Sequence, residues 1–461
     1  MVTPFRKSVC NIFSIIPKRY VAVWLLGLLL PFGPQQANAG NHTHSPISQQ
    51  ESIIEATGPV TPLAGLITEA LENNPEIQAA LREREAARQR ISPAEALDDP
   101  MLEAGVINAP LTSSPFNRED MTMKMIGLSQ RFPFPGKRGL RKAVASKDAE
   151  STEYAWQETV NRVVRDLKVA YADLWLTLET TRLIEKNKLT LEGLLHLAEQ
   201  HYAVGIGSQA DALKAQTQVS RMQNELLKLA RERPVIEAEL IRTLGQSTYA
   251  ATLNPAPPSI QSTALNLESL RETALAQRPQ LLALQSLAAR NQKALELARK
   301  DYYPDFDVRL SYGQRDSMLD GSRRPDMVTM TVAINLPLWR ADKIEPRIAE
   351  SLAMHHQALD LYQAQSNEIA ANLRQQVATA EQNFKSIQLY RTTILPQARL
   401  TVESALAAYQ VGQVDFLTLL DSQLAVFDYE INLVATMANH VKALAQIDLL
   451  TGSAPYSSGR E

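Results

Sequence analysis

The sequence predicts an α+β membrane protein: long antiparallel coiled-coil helices duplicated in tandem, with four transmembrane β-strands per chain. Three observations carry that prediction. Six landmarks recur in order at nearly one spacing, two helical stretches far exceed the length of globular helices, and four short runs alternate apolar with polar side chains. The duplication comes first. Asn74-Pro75, Asp99-Pro100 and Phe132-Pro133-Phe134 return as Arg278-Pro279, Tyr303-Pro304 and Leu336-Pro337-Leu338, at an offset of about 204 residues. Tyr202-Ala203-Val204-Gly205, Ala215-Gln216 and Leu244-Gly245 return as Tyr409-Gln410-Val411-Gly412, Ser422-Gln423 and Thr451-Gly452, at about 207.

Taken from the N-terminus, residues 1–39 read as a secretory signal peptide. Arg6, Lys7, Lys18 and Arg19 supply the basic region, Val21 to Leu30 the apolar run, and Ala37-Asn38-Ala39 the small-residue cleavage site. The run is too short to span a bilayer as a helix, and a short N-terminal anchor is the alternative reading. A signal of this kind implies the periplasm, the outer membrane or secretion. The single cysteine, Cys10, precedes the apolar run, so it is no lipid-attachment site at the cleavage point. Its place also argues against disulfides, Cys-based zinc sites, iron–sulfur clusters and a Cys nucleophile in the mature chain. Residues 40–62, with His42, His44, Pro46, Pro59 and Pro62, form a polar extended leader.

The first repeat covers 63–250 and reads helix, two strands, long helices. From about Ala143 to Ala203 there is no proline and one glycine, Gly193. Val160, Val164, Leu167, Tyr171, Leu174 and Leu178 step by four and three, the seam of a coiled coil. A straight helix of about 60 residues would be about 90 Å long, against a globular average of about 11–12 residues. A Pro-rich linker, 251–267, holds Asn254-Pro255-Ala256-Pro257-Pro258. The second repeat, 268–453, carries the matching long helix from about Pro346 to Tyr409, interrupted by Pro396, and 454–461 is a tail.

The strands fall at about 101–110 and 121–131 in the first repeat, and at about 305–314 and 327–337 in the second. Phe306, Val308, Leu310 and Tyr312 alternate with Asp305, Asp307, Arg309 and Ser311. Val328, Met330, Val332, Ile334 and Leu336 alternate with Met327, Thr329, Thr331, Ala333 and Asn335. Thr122, Lys124, Ile126, Leu128 and Gln130 alternate less cleanly with Met121, Met123, Met125, Gly127 and Ser129. Runs of this length suit tilted transmembrane strands with lipid on one side and water on the other, although a soluble sheet with one buried face alternates in the same way. In lipid the strands must close into a barrel without an open edge, and single-chain barrels begin at about eight strands. Four strands therefore call for other chains: two copies give eight and three give twelve. The polar connections Pro110 to Asp120 and Asp316 to Asp326 would be the outer hairpin loops.

This layout resembles the TolC-like outer-membrane factors, the exit ducts of bacterial tripartite efflux pumps and type I secretion systems. The likeness spans about 63–453 and rests on the duplicated plan, on Tyr-x-Val-Gly at Tyr202 and Tyr409, and on the stretch from Ala405 to Gln423. It implies a homotrimer, with a twelve-stranded barrel in outer-membrane lipid and an α-helical barrel through the periplasm. The turns Val204-Gly205 and Val411-Gly412 would be periplasmic tips that a periplasmic adaptor (membrane fusion) protein grips, coupling the duct to an inner-membrane RND-type pump. Asp211 and Tyr409 match two positions that link neighbouring helices in the closed entrance, and imply a hydroxyl–carboxylate hydrogen bond. Val414 stands where the family usually has Arg. Of the aspartates that ring the constriction, Asp421 matches one and Thr418 replaces the other, with Asp415 nearby. Gln130 to Arg138, with its rigid Pro133-Phe134-Pro135-Gly136 bend, resembles the cobalt–zinc–cadmium and copper–silver ducts more than the drug-type ones. Lys137 and Arg138 would sit near the membrane–water boundary.

Catalytic patterns are missing. The seven histidines, at 42, 44, 196, 201, 355, 356 and 440, form no His-Glu-x-x-His, and there is no phosphate-binding glycine loop and no Gly-x-Ser-x-Gly. No enzyme activity, cofactor or metal site is expected. His42-Thr43-His44 offers two ligands without a third, and the Met121, Met123, Met125 stripe reads as packing before it reads as a soft-metal surface. The net charge of −3 carries no basic excess for nucleic acid. The expected function is a passive exit duct, for heavy-metal cations first. A drug-efflux or protein-secretion channel is the alternative, and a periplasmic coiled-coil scaffold without a channel is a third reading.

Overall fold

The computed structural model describes residues 60–110, 117–249, 252–260 and 265–453. The signal peptide with Cys10, the leader with His42 and His44, and the tail 454–461 lie outside the described residues. Helices α1 (Leu63–Asn73), α2 (Pro75–Gln89) and α3 (Ile91–Glu95) lead into strands β1 (Met101–Ile107) and β2 (Met123–Phe132). Helices α4 (Lys137–Ala203) and α5 (Gln209–Thr243) complete the first repeat. The second runs α6 (Leu267–Gln277), α7 (Pro279–Arg299), β3 (Phe306–Gln314), β4 (Met327–Ile334), α8 (Glu345–Leu389), α9 (Leu395–Gln410) and α10 (Phe416–Thr451). No helix among the described residues is long and apolar enough to cross a membrane.

Helix α4 has 67 residues, about 100 Å at 1.5 Å each. It starts six residues before Ala143, the expected beginning of the long helix. Gly136 takes a left-handed φ of 92° at its N-cap, and Gly139 is carried inside the helix. The corresponding run in the second repeat is not broken by Pro396 but relieved ahead of it. A π-helical turn, Tyr390–Ile394, widens the helix before Pro396 enters the first turn of α9, where a missing N–H costs little.

The duplication is visible in the core. Leu66, Ala70 and Ile77 of α1 and α2 pack on Val163, Leu167 and Leu174 of α4 and on Leu240 of α5. Ala274 and Leu281 pack on Ile369, Leu373 and Ala380 of α8 and on Ile447 of α10. The repeated landmarks meet across each core. Gly245 takes φ 78°, and a Cβ there would lie 2.5 Å from the Asn73 carbonyl and 2.7 Å from Asn74 Cα. Gly452, at φ 73°, stands 2.9 Å from the Gln277 carbonyl by the same measure. Asn74 caps α2 through the N–H groups of Glu76 and Ile77, and its amide donates to the Thr243 carbonyl at 2.8 Å. The linker is strapped down as well: Ala256 N–H donates to the Tyr171 hydroxyl, which donates to the Thr61 carbonyl.

The strands form one antiparallel sheet in the order β1-β2-β3-β4, so the two repeats join through β2 and β3. The strands differ from the alternation at their ends, and β2 runs Met123–Phe132 rather than about 121–131. β1 stops at Ile107 because Asn108 turns to φ 55°, and Thr122 donates its hydroxyl to the Asn108 carbonyl to close the hairpin. β4 stops at Ile334, where the Asn335 side chain accepts from Asp305 N–H and Pro337 follows. β3 starts one residue late, at Phe306. At the strand-to-helix junction Lys137 does not reach outward to water. It is buried, 2.9 Å from Asp305 and 3.4 Å from Asp301, while Arg138 donates to the Glu95 carbonyl.

The register sorts the side chains into two faces. Leu102, Leu128, Leu310 and Met330 lie in one cross-strand row, Ala104, Ile126, Tyr312 and Val328 in the next, and Phe132, Phe306 and Ile334 end the series. On the opposite face run Glu103, Gly127, Ser311 and Thr329, then Met101, Ser129, Arg309 and Thr331, with Arg309 bonded to Glu103 at 3.0 Å. Among the described residues both edges, β1 and β4, lack a partner strand.

Candidate gate and docking site at the helix tips

Two tight turns reverse the long helices. At the first, α4 ends in Val204-Gly205-Ile206-Gly207, with Gly205 at φ 78°. The N–H groups of Ile206 and Gly207 both donate to the His201 carbonyl, satisfying the end of the helix. At the second, α9 ends in Val411-Gly412, with Gly412 at φ 71° and Gln413 N–H donating to the Ala408 carbonyl. Val204, Ile206 and Val411 are each about 70% exposed (68, 73 and 69%), an unusual display for branched apolar residues.

Behind the tips lies the apolar cluster that joins the two repeats. Leu191, Leu194 and Ala198 of α4 meet Ala215 and Met222 of α5, Ala405 and Tyr409 of α9, and Phe416, Leu419, Leu420 and Phe427 of α10. Val414 packs against this cluster, so it supplies an apolar contact in place of an ionic link. The two tyrosines of the repeated motif take different roles. Tyr202 is 51% exposed, whereas Tyr409 is 6% exposed. The Tyr409 ring stacks on His201 at 4.7 Å and meets Phe416 edge-on at 5.6 Å.

Asp211 and Tyr409 are close, but the expected hydrogen bond is not made within the chain. The Tyr409 hydroxyl is buried and has no hydrogen-bond partner among the described residues. Burial, and then the nearby Asp211 carboxylate, push its pKa above the usual phenol value. The Asp211 carboxylate instead serves a capping box: it accepts from Ser208 N–H at 3.2 Å while Ser208 Oγ accepts from Asp211 N–H. Asp415 caps α10 by accepting from the N–H and hydroxyl of Thr418, bonds that hold its carboxyl below the usual range. Thr418 is thus a partner of the cap. Asp421 is exposed and meets no partner among the described residues.

Sequence patterns gave no sign of His201 or Glu430. His201 has no counterpart in the second repeat, where Ala408 stands at the same offset, and only the fold sets it face-on to Tyr409. Glu430 is buried between three helices, 2.8 Å from Arg399 and 3.3 Å from Lys186. Burial works to raise its pKa, but the Arg399 hydrogen bond and the Lys186 charge outweigh that and leave it below the ordinary carboxylate value. The remaining histidines are scattered: His355 and His440 face the carbonyls of Ala288 and Ala380, and His196 pairs with Gln200. Met123 and Met125 lie on the polar face of the sheet beside Gly313, and Met121 lies in the turn before it. Among the described residues no three His, Cys, Asp or Glu side chains gather as a metal site.

Comparison with known proteins agrees with this architecture. The profile of a family described as outer membrane efflux protein matches residues 66–246 and 270–453, one segment per repeat. The chain is 23% identical over 412 residues to the cobalt-zinc-cadmium resistance protein CzcC of Cupriavidus metallidurans, covering 86% of this chain and 91% of that one. It is also 23% identical over 400 residues to the alkaline protease secretion protein AprF of Pseudomonas aeruginosa, covering 83% and 82%. Among solved structures, the outer membrane protein VceC of Vibrio cholerae superposes with a TM-score of 0.71 at 18% identity, over 85% of this chain and 96% of that one.

Proposed function

Because this chain belongs to the outer membrane efflux protein family, we propose that it is the passive outer-membrane exit duct of a tripartite efflux pump and that its cargo is heavy-metal cations. The protein resides in the Gram-negative outer membrane. The observation that carries the duct reading is the sheet. Its apolar face is exposed in rows that suit lipid, its opposite face bears Glu103, Arg309, Ser311 and Thr329, and both of its edges are unpaired. Three copies placed edge to edge would close it into twelve strands around a polar lumen, the condition for crossing lipid without an open edge. The chain then supplies a water-filled path and a gate, without catalysis of its own. Energy comes from the inner-membrane pump, and a periplasmic adaptor grips the exposed Val204, Ile206 and Val411 tips.

Similarity to a cobalt-zinc-cadmium resistance protein supports the metal cargo. Equal identity to a protease secretion protein supports a second reading, a protein-secretion duct on the same fold. A strain lacking the gene separates the two. Its growth would be compared on zinc, cobalt, cadmium, copper and silver, and on dyes, detergents and antibiotics, with secreted protein assayed alongside. Metal sensitivity of the deletion strain, relieved by the wild-type gene, is the expected result. Unchanged metal tolerance with lost secretion or lost drug tolerance would sink the metal reading and keep the duct.

A further inference from the structure

The periplasmic end of the sheet carries a basic pocket that the duct reading does not use. Phe132, Phe306 and Ile334 form the last rung of β2, β3 and β4, so these three strands end at one level. A cavity of about 930 Å³ lies just beyond that rung, lined by Arg299, Lys300, Arg340, Tyr302, Tyr303 and Glu296 among others. Its charges are unbalanced. Glu296 is already paired with Lys293 at 2.9 Å, and among the described residues neither Arg299 nor Lys300 meets a carboxylate. Lys300 instead lies over the rings of Phe134 and Tyr303, at 5.7 and 5.5 Å, and Arg340 lies 5.9 Å from the Tyr302 ring. These rings orient the cations without neutralising them.

We propose that this pocket binds the phosphate of an anionic glycerophospholipid in the inner leaflet of the outer membrane. The phosphate would sit among Arg299, Lys300 and Arg340, and the acyl chains would run along the Phe132, Phe306, Ile334 face. The inference rests on reading that face as the one that meets lipid. The surroundings fit a headgroup zone: Tyr303 is half-exposed on the pocket wall, and Leu338 and Trp339 are 72 and 73% exposed immediately before Arg340. A lipid is favoured over soluble phosphate because the cavity opens next to an exposed apolar surface. Unpaired cations at the edge of a bilayer attract anionic headgroups.

The test is native mass spectrometry of the detergent-purified full chain, mixed with phosphatidylglycerol, phosphatidylcholine or inorganic phosphate. The wild type should retain phosphatidylglycerol over phosphatidylcholine. Arg299→Gln with Lys300→Gln should lower retained phosphatidylglycerol roughly tenfold at an unchanged oligomeric mass. Arg299→Gln alone, an exposed and unpaired site, serves if the double variant does not assemble, and should still lose several-fold. Equal retention by wild type and variants would overturn the proposal, as would full displacement of the lipid by inorganic phosphate. A protein that leaves the membrane in high salt without detergent would instead defeat the lipid-face reading itself.

Discussion

At the scale of single residues, the proposed gate holds a buried hydroxyl with no partner among the described residues. Leaving a Tyr hydroxyl unpaired in an apolar cluster costs about 1–3 kcal/mol, and the Tyr409 hydroxyl pays that in the single chain. A neighbouring copy is the natural source of a partner, and the Asp211 carboxylate is already near enough to raise the phenol's pKa. Tyr409→Phe combined with Asp211→Asn should therefore leave the fold intact, since Phe keeps the His201 stack, and should raise ion conductance in planar bilayers. Unchanged conductance would remove both residues from the gate. Glu430 gives a separate test. Its folded pKa lies below the ordinary 4.5, so its contribution is present above about pH 4.5 and is lost as the pH falls through the lowered value. Arg399 and Lys186 are 61 and 55% exposed and can hydrate when the carboxylate is gone. Glu430→Gln should thus cost only about 1–2 kcal/mol at neutral pH. In thermal melts the gap to wild type should shrink as the pH falls below 4.5; a gap that stays constant with pH would refute the ionic account. Tyr409 and Asp211 were legible as motif positions. The His201 stack and the Glu430 triad were not, because each depends on the rotation of one long helix against another.

At the scale of elements, the landmarks of the repeat were legible in the sequence while the reason for their spacing was not. Landmarks such as Asn74-Pro75 and Leu244-Gly245 lie far apart in the chain, yet they touch. The second glycine lets one helix end press on the start of another, and the same contact recurs between Arg278 and Gly452. This sets a ranking among glycines that share a left-handed φ. Gly205 and Gly412 have nothing within 4 Å of a prospective Cβ, so alanine there costs only backbone strain, about 1 kcal/mol. At Gly245 the same methyl meets backbone at 2.5 and 2.7 Å. Gly245→Ala should cost about 3 kcal/mol or more, because strain and overpacking add. Urea or thermal unfolding of Gly205→Ala and Gly245→Ala side by side measures this, and equal losses would contradict the packing argument. Strand ends were less legible than helices. Asn108 and Asn335 stop their strands through a left-handed φ and a side-chain hydrogen bond, and periodicity records neither. The π turn before Pro396 was equally hidden, since the sequence there reads as a helix interrupted at the proline rather than one widened ahead of it.

At the scale of the whole molecule, the unpaired edges and the two-faced sheet make one claim: the single chain is a fragment of a barrel. Alternation alone left a soluble sheet open. The paired register removes much of that freedom by aligning Leu128, Leu310 and Met330 across three strands without covering them by any helix: they are 51, 54 and 69% exposed. A soluble sheet buries such rows, whereas a barrel turns them to lipid. The claim can be tested with one charge placed on either face. Leu310→Arg would put a guanidinium in the middle of the apolar row, where a barrel in lipid loses about 2–4 kcal/mol per strand. Threefold repetition multiplies that loss in an assembled trimer. Thr331→Arg, opposite Arg309 on the other face, would project into water and meet only like-charge repulsion. Leu310→Arg should therefore abolish the detergent-extracted oligomer on gel filtration and restore metal sensitivity to cells, while Thr331→Arg should assemble normally and at most alter conductance. If both variants assembled alike, the exposed apolar rows would not be a lipid surface, and the twelve-stranded closure would lose its physical basis.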